Sequence, residues 1–153
     1  MMLKLEFNGS FEMLEFVDAV SSHMAKAVGL DDDTQEWVAI AIRESVINAI
    51  KHGNRNDARK RVFVEFSTRQ SGDGVELTIR VRDEGEGFDP TALADPLAPE
   101  NLLKSSGRGI LLIRSFMDDV HLGCAPEGGM EIRMTKRVPM TGAAGNGDVE
   151  ART

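Results

Sequence analysis

The chain has 153 residues, room for one domain and too few for two of full size. With 41% hydrophobic and 28% charged residues it has a globular balance, and its net charge of −7 argues against a general nucleic-acid binder, which needs a basic footprint. One cysteine (Cys124) excludes an internal disulfide and a cysteine-built metal site, the three histidines lack zinc-ligand spacing, and no apolar run reaches the ~18 residues of a spanning helix.

The first residues, MMLKLEF, lack the basic-then-apolar layout of a signal peptide, so a cytoplasmic domain with no membrane attachment is expected. Residues 3–7 alternate apolar and polar, as a short strand does. Ser10 stands where an N-cap would. Phe11, Leu14, Val17, Val20, Met24 and Val28 then recur at helical spacing up to Gly29. Asp31 to Asp33 cap a second helix, expected over residues 34–51 and ending at Gly53-Asn54. Residues 61–68 and 75–82 alternate on either side of Ser-Gly-Asp-Gly and predict an antiparallel hairpin. From Asp83 to Gly109, four glycines and three prolines interrupt any period, and a loop of that length in a compact domain points to function. Residues 109–117 resume a helical pattern, and residues 118–123 and 129–137 predict two strands joined at Pro-Glu-Gly-Gly. The fold class is therefore α+β, a two-layer sandwich of a mixed, mostly antiparallel sheet with helices on one face. One domain over residues 1–138 and a disordered small, polar tail over 139–153 are expected.

Three segments carry chemistry. Glu44, Asn48 and His52 fall at i, i+4 and i+8 of the second helix, beside a small apolar face suited to packing. A carboxylate and a carboxamide one turn apart can position a nucleophile or hold a hydrated divalent cation, but the same pattern also suits a solvated helix face. Asp83-Glu84-Gly85-Glu86-Gly87-Phe88 follows a strand. Asp83 there can accept a hydrogen bond from an exocyclic amine, and the glycines allow close approach to a ligand; an acidic hairpin turn is the plainer alternative. Gly107-Arg108-Gly109-Ile110 feeds a helix, whose first amides and the Arg108 guanidinium suit a phosphate, although a bare helix entry has the same glycines. It is not a Walker loop.

The order of the three segments is more specific than any one of them. Glu-x-x-x-Asn, then Asp-x-Gly-x-Gly, then a lid, then Gly-x-Gly resembles the ATPase superfamily of gyrase, the heat-shock chaperone, histidine kinases and MutL. The strings ESVINAIKHGN, VRDEGEGFDP and GRGILLIRSFMDDVHL resemble most the small bacterial anti-sigma-factor serine/threonine kinases of the RsbW type, over about residues 3–137. That resemblance implies a Bergerat-type, histidine-kinase-like ATP-binding fold with ATP and Mg2+ as cofactors. It implies Glu44 as the general base toward a partner Ser or Thr, assisted by Arg108, and Asn48 as the magnesium ligand. Asp83 would recognise the adenine amino group. Gly85 and Gly87 would shape the pocket wall, Gly107, Arg108 and Gly109 would close over the phosphates, and His52, Phe88 and Ile110 complete the nucleotide-binding set. Residues 93–106 would form a mobile lid. The implied partners are a sigma factor, an anti-anti-sigma (STAS-type) protein substrate and a second copy of the chain, since such kinases commonly dimerise through the first strand and helix.

Two positions depart from the family pattern. Ser105 stands where some members carry a phosphate-binding Arg, with Lys104 and Arg108 flanking it, and Met130 follows Gly129 where a Thr is common. These departures keep a second reading open: a nucleotide-sensing module that sequesters a partner without phosphotransfer. A histidine-kinase catalytic piece fits less well, since no helix pair with a phosphoacceptor His precedes the motifs. Among the remaining residues, five Lys or Arg against one Asp make residues 51–61 locally basic, either a solvated loop or a partner-docking patch. His52 also suits a helix-end role near the C-terminal dipole. Met13, Met24 and Cys124 are expected to be buried, and Trp37 to pack on the sheet.

Overall fold

The computed structural model describes residues 1–86 and 107–140, the first two of the second stretch by backbone alone. Strand β1 (Met2–Asn8) leads through a 3-10 turn (Phe11–Met13) into helix α1 (Leu14–Ala27) and then α2 (Asp32–Asn48). A π-turn (Ala49–Gly53) follows, then strands β2 (Arg61–Ser71) and β3 (Gly74–Asp83). Helix α3 (Gly107–Phe116) and strands β4 (Asp119–Cys124) and β5 (Met130–Pro139) complete the order. The strands form one sheet in the order β1-β2-β3-β5-β4, antiparallel at all four pairings.

Local chemistry explains most of the boundaries. Ser10 caps the 3-10 turn by accepting from the Glu12 amide at 3.2 Å, and Gly29 leaves α1 at φ 93°. Asp31 caps α2 by accepting from the Thr34 amide at 2.8 Å, which holds its carboxyl below the usual range. Gly72, at φ 58°, supplies the positive angle that a primed hairpin turn needs at its first central position.

Strand alternation builds the core. Val62, Val64 and Phe66 of β2, Leu77, Ile79 and Val81 of β3, and Ile132 and Met134 of β5 all face inward. Val17 of α1, Val38, Ile42 and Val46 of α2, and Ile113 of α3 meet them. Full burial of one such side chain contributes roughly 1.5–3 kcal/mol, so a few of them decide the stability of the domain. Asp83 continues the inward parity of Leu77, Ile79 and Val81 by one more step. The row that builds the core thus ends in a carboxylate tucked beneath the helix layer.

The opposite face of the sheet is solvated and cross-linked by charge. Arg80 bridges Glu127 (2.7 Å) and Glu131 (2.6 Å), and Arg82 lies 3.8 Å over the Phe63 ring. This tethers the β4–β5 turn and depresses the Glu127 carboxyl to about 2, first through the Arg80 hydrogen bond.

Several expectations change. The second helix leaves α-geometry at Asn48 rather than near Lys51, because the Asn54 amide reaches back five residues to the Ala49 carbonyl (2.7 Å). Trp37 stacks on Phe116 of α3, with ring centroids 6.1 Å apart, instead of on the sheet; it lies on the outer side of α2 and is 43% exposed. Cys124 is exposed at the end of β4, not buried. Met24 is buried and Met13 packs against the core as expected. In the basic segment, Arg59 pairs with Asp57, and Arg61 with Glu84 and Glu6, so part of its charge is satisfied locally. Strand β5 runs to Pro139, one residue into the tail expected over 139–153, of which residues 141–153 lie outside the described residues.

Candidate functional site

Helix α2 is the spine of the site. Glu44 and Asn48 lie one turn apart, both half-buried, and among the described residues neither has a hydrogen-bond or ion-pair partner. The start of α3 lies directly against them. A Cβ built on Gly109 would sit 3.0 Å from Glu44 Oε2 and 3.1 Å from Asn48 Nδ2. Glycine there lets the helix entry approach both side chains, with the orphan amides of its first turn nearby. Ile110 is buried and anchors that turn.

The other end of α2 meets Asp83. The π-turn adds a residue to the last turn, and His52 within it is exposed. The same turn brings Gly53 against Asp83: a Cβ on Gly53 would fall inside the Asp83 carboxylate, and one on Gly85 inside the Gly53 carbonyl. Asp83 is 3% exposed. Its Oδ1 accepts from the amides of Gly85 (2.8 Å) and Met130 (3.0 Å), while no hydrogen bond reaches Oδ2 among the described residues. Burial pushes the carboxyl up, and the Met130 and Gly85 amides offset this in part. At nine residues along the spine, Gly53 and Glu44 are separated by about 13 Å at helical rise.

The structure therefore brings Glu44, Asn48 and Gly109 to one end of α2 and Asp83 and Gly85 to the other. Gly107 and Arg108 open α3. Gly87, Phe88, Lys104, Ser105 and the expected lid over residues 93–106 lie outside the described residues. Sequence reasoning missed Gly53 and Gly129 as walls of the Asp83 cradle. Gly129, at φ 81°, packs so tightly that a Cβ would enter the Asp83 carbonyl. Met130, where a Thr is common, reaches Asp83 through its backbone amide, which any residue except proline supplies. No group of three or more His, Cys, Asp or Glu able to hold a metal occurs among the described residues. No helix there is long and apolar enough to cross a membrane.

The family model of the histidine kinase-like ATPase domain matches residues 12–136. The chain belongs to that family. Within it, this ATPase domain is 36% identical over 124 residues to an anti-sigma F factor of Oceanobacillus iheyensis, covering 78% of the chain and 80% of the relative. It is 33% identical over 149 residues to the anti-sigma F factor of Bacillus subtilis, covering 94% and 97%. A serine-protein kinase RsbW of Staphylococcus epidermidis is 28% identical over 156 residues, covering 95% and 92%. Among solved structures, 91% of this chain is similar in fold to 33% of the chain in the crystal structure of the RsbU and RsbW domains of Rv1364c from Mycobacterium tuberculosis (TM-score 0.58, 16% identity). The SiaB–SiaC complex from Pseudomonas aeruginosa is similar at TM-score 0.53 and 15% identity, covering 89% of each chain.

Proposed function

We propose that this chain is an ATP-dependent protein serine/threonine kinase that acts as an anti-sigma factor. It would hold a sigma factor inactive and phosphorylate a Ser or Thr of a STAS-type antagonist, whose phosphorylation ends the competition for the kinase. The relatives named anti-sigma F factor and serine-protein kinase support the reading. The observation that carries it is Glu44, a half-buried carboxylate with no partner among the described residues, set against the entry of α3.

Each residue contributes a definable step. Asp83 Oδ2 accepts from the exocyclic amine of adenine, while its doubly bonded Oδ1 fixes the carboxylate in place. The α3 entry, with Gly107, Arg108 and Gly109, faces the phosphates. Magnesium, when bound, neutralises triphosphate charge; the Asn48 carboxamide oxygen suits it because magnesium prefers oxygen and keeps several waters. Glu44 orients the hydroxyl of the partner and accepts its proton as the oxygen bonds to the γ-phosphorus and the bond to the β–γ bridging oxygen breaks, releasing ADP. A homodimer belongs to the same reading: β1 is an edge strand, and Met2, Phe11 and Phe16 are 62%, 48% and 56% exposed. A cytoplasmic location follows from such partners.

The test is phosphotransfer from labelled ATP to a STAS-type antagonist by wild type and by Glu44→Ala. Loss of transfer by about 10²–10⁴-fold with ATP binding intact is expected. Transfer that persists in the variant removes Glu44 as the base. Ser105, in place of a phosphate-binding Arg, favours the alternative of a nucleotide-sensing module that sequesters a partner. That reading predicts ATP-dependent partner binding by the wild type with no phosphorylated product.

A further inference from the structure

Asn54 follows the π-turn and is 0% exposed. Both ends of its carboxamide are engaged: Nδ2 donates to the Arg61 carbonyl (3.0 Å), and Oδ1 accepts from the Glu84 amide (2.8 Å). Only one orientation of the carboxamide satisfies both. The register shows what this does. Val62 pairs with Asp83, so Arg61 and Glu84 are the next opposed residues of the hairpin. They do not close a backbone rung. Arg61 instead donates its amide to Glu84 Oε1 (2.7 Å), and the carboxamide of Asn54 stands between the strand ends as a peptide group would. Gly9 lies over it, where a Cβ would come within 3.1 Å of Nδ2.

This inserted rung fixes the Asp83–Glu84–Gly85 turn from below. The Glu84 amide is held by Asn54, and the Gly85 amide by Asp83 Oδ1. The Asn54 amide also closes the π-turn that carries Gly53 against Asp83. One residue therefore ties both ends together: its side chain holds the strand end that bears the carboxylate, and its backbone amide closes the helix end that walls it.

We propose that Asn54 is a positioning residue for base selectivity: by bridging Arg61 and Glu84 it presents the open oxygen of Asp83 to an exocyclic amine on the base. The inference rests on the adenine reading of Asp83, and the experiment separates the two. Calorimetry measures the affinities of ATP and of inosine triphosphate, which lacks the 6-amino group, for wild type, Asp83→Asn and Asn54→Ala. Wild type should prefer ATP about 10-fold, the scale of one hydrogen bond to a charged group. Equal wild-type affinities sink the adenine reading before any Asn54 variant is considered. Given a wild-type preference, Asn54→Ala should lose ATP affinity about 10-fold while its inosine triphosphate affinity moves less than about two-fold, collapsing the ratio. A folded variant that keeps the ratio, or loses both ligands equally, overturns the proposal in favour of a structural role. Should Asn54→Ala not fold, amide exchange in the unliganded wild type decides. Slow exchange at Glu84 and Gly85, matching the core of β3, supports the inserted rung; exchange that slows only on adding ATP overturns it.

Discussion

Asp83 spends stability on an open acceptor. Its Oδ1 takes two backbone amides, yet its Oδ2 has no partner among the described residues, and burial raises the carboxyl above the usual aspartate range. A carboxyl with a raised folded-state value favours the native state fully below the unfolded value and loses that contribution as pH rises through the folded one. At neutral pH the buried charge is therefore a burden. Asp83→Asn should unfold at an equal or higher temperature than wild type at neutral pH. ATP affinity should nonetheless fall by about 10–100-fold, because an amide donor now meets the amine donor. Calorimetry and thermal melts on the same samples test this; a destabilised variant that binds normally refutes it. By the same sign, wild-type ATP affinity should decline on acidification, beginning above the ordinary aspartate range. Gly53 tests the cradle from the other side. Gly53→Ala places a methyl group inside the Asp83 carboxylate, so it should cost roughly 1–3 kcal/mol and abolish ATP binding. Normal binding by that variant would mean that the wall is not required.

At the scale of elements, α2 sets the distance between the Asp83 end and the Glu44–Asn48 end, α3 packs on the latter, and Ile113 fixes α3. It is fully buried, one turn after Gly109. Ile113→Ala should cost roughly 2–5 kcal/mol in denaturant unfolding and weaken ATP binding by loosening the α3 entry against Glu44 and Asn48. Unchanged affinity would show that the entry is positioned independently of its packing. The elements themselves were legible because their periods are strong. Val62-Val64-Phe66 and Leu77-Ile79-Val81 alternate cleanly, and Val38, Ile42 and Val46 mark one face of α2. The motif spacing likewise singled out Glu44, Asn48 and Asp83, which the fold sets at the two ends of the same stretch of α2. The π-turn was not legible, since Asn54, whose amide closes it, is held by side-chain bonds to Arg61 and Glu84 that no local period encodes. Gly129 was hidden for a related reason: its glycine requirement comes from the Asp83 carbonyl, far away in sequence. Trp37 misled because an aromatic on a helix is expected to seek the sheet, whereas α3 offered Phe116 on the outer side.

At the scale of the molecule, the two faces of the sheet and its β1 edge differ. The helix-facing side of the sheet is packed, and the opposite side is laced by ion pairs such as Arg80–Glu131 and Arg133–Glu131. At the β1 edge, by contrast, among the described residues no strand pairs with the outer side of β1, and Met2 on it is exposed, as are Phe11 and Phe16 of the 3-10 turn and α1 that follow. An apolar edge strand left open invites pairing with another chain. The proposed homodimer closes it, and a two-fold interface presents each residue twice, so one substitution acts on both halves. Phe16→Glu adds a second copy of any repulsion it creates, and at 56% exposure it removes little from the core of its own chain. Sedimentation at micromolar concentration should give twice the 16.7 kDa chain mass for wild type and the single-chain mass for Phe16→Glu. Unfolding temperature at matched low concentration should be similar for the two, and ATP affinity equal, because Phe16 lies on α1 rather than on the Glu44-to-Asp83 spine. A wild type that sediments at the single-chain mass would remove the homodimer from the proposed function. A variant that stays dimeric would place the interface elsewhere. Loss of both dimer and ATP binding would instead mean that closing this edge steadies the sheet end that carries Asp83, a coupling through β2, which pairs with β1 at Asn8–Arg61 and with β3 at Val62–Asp83.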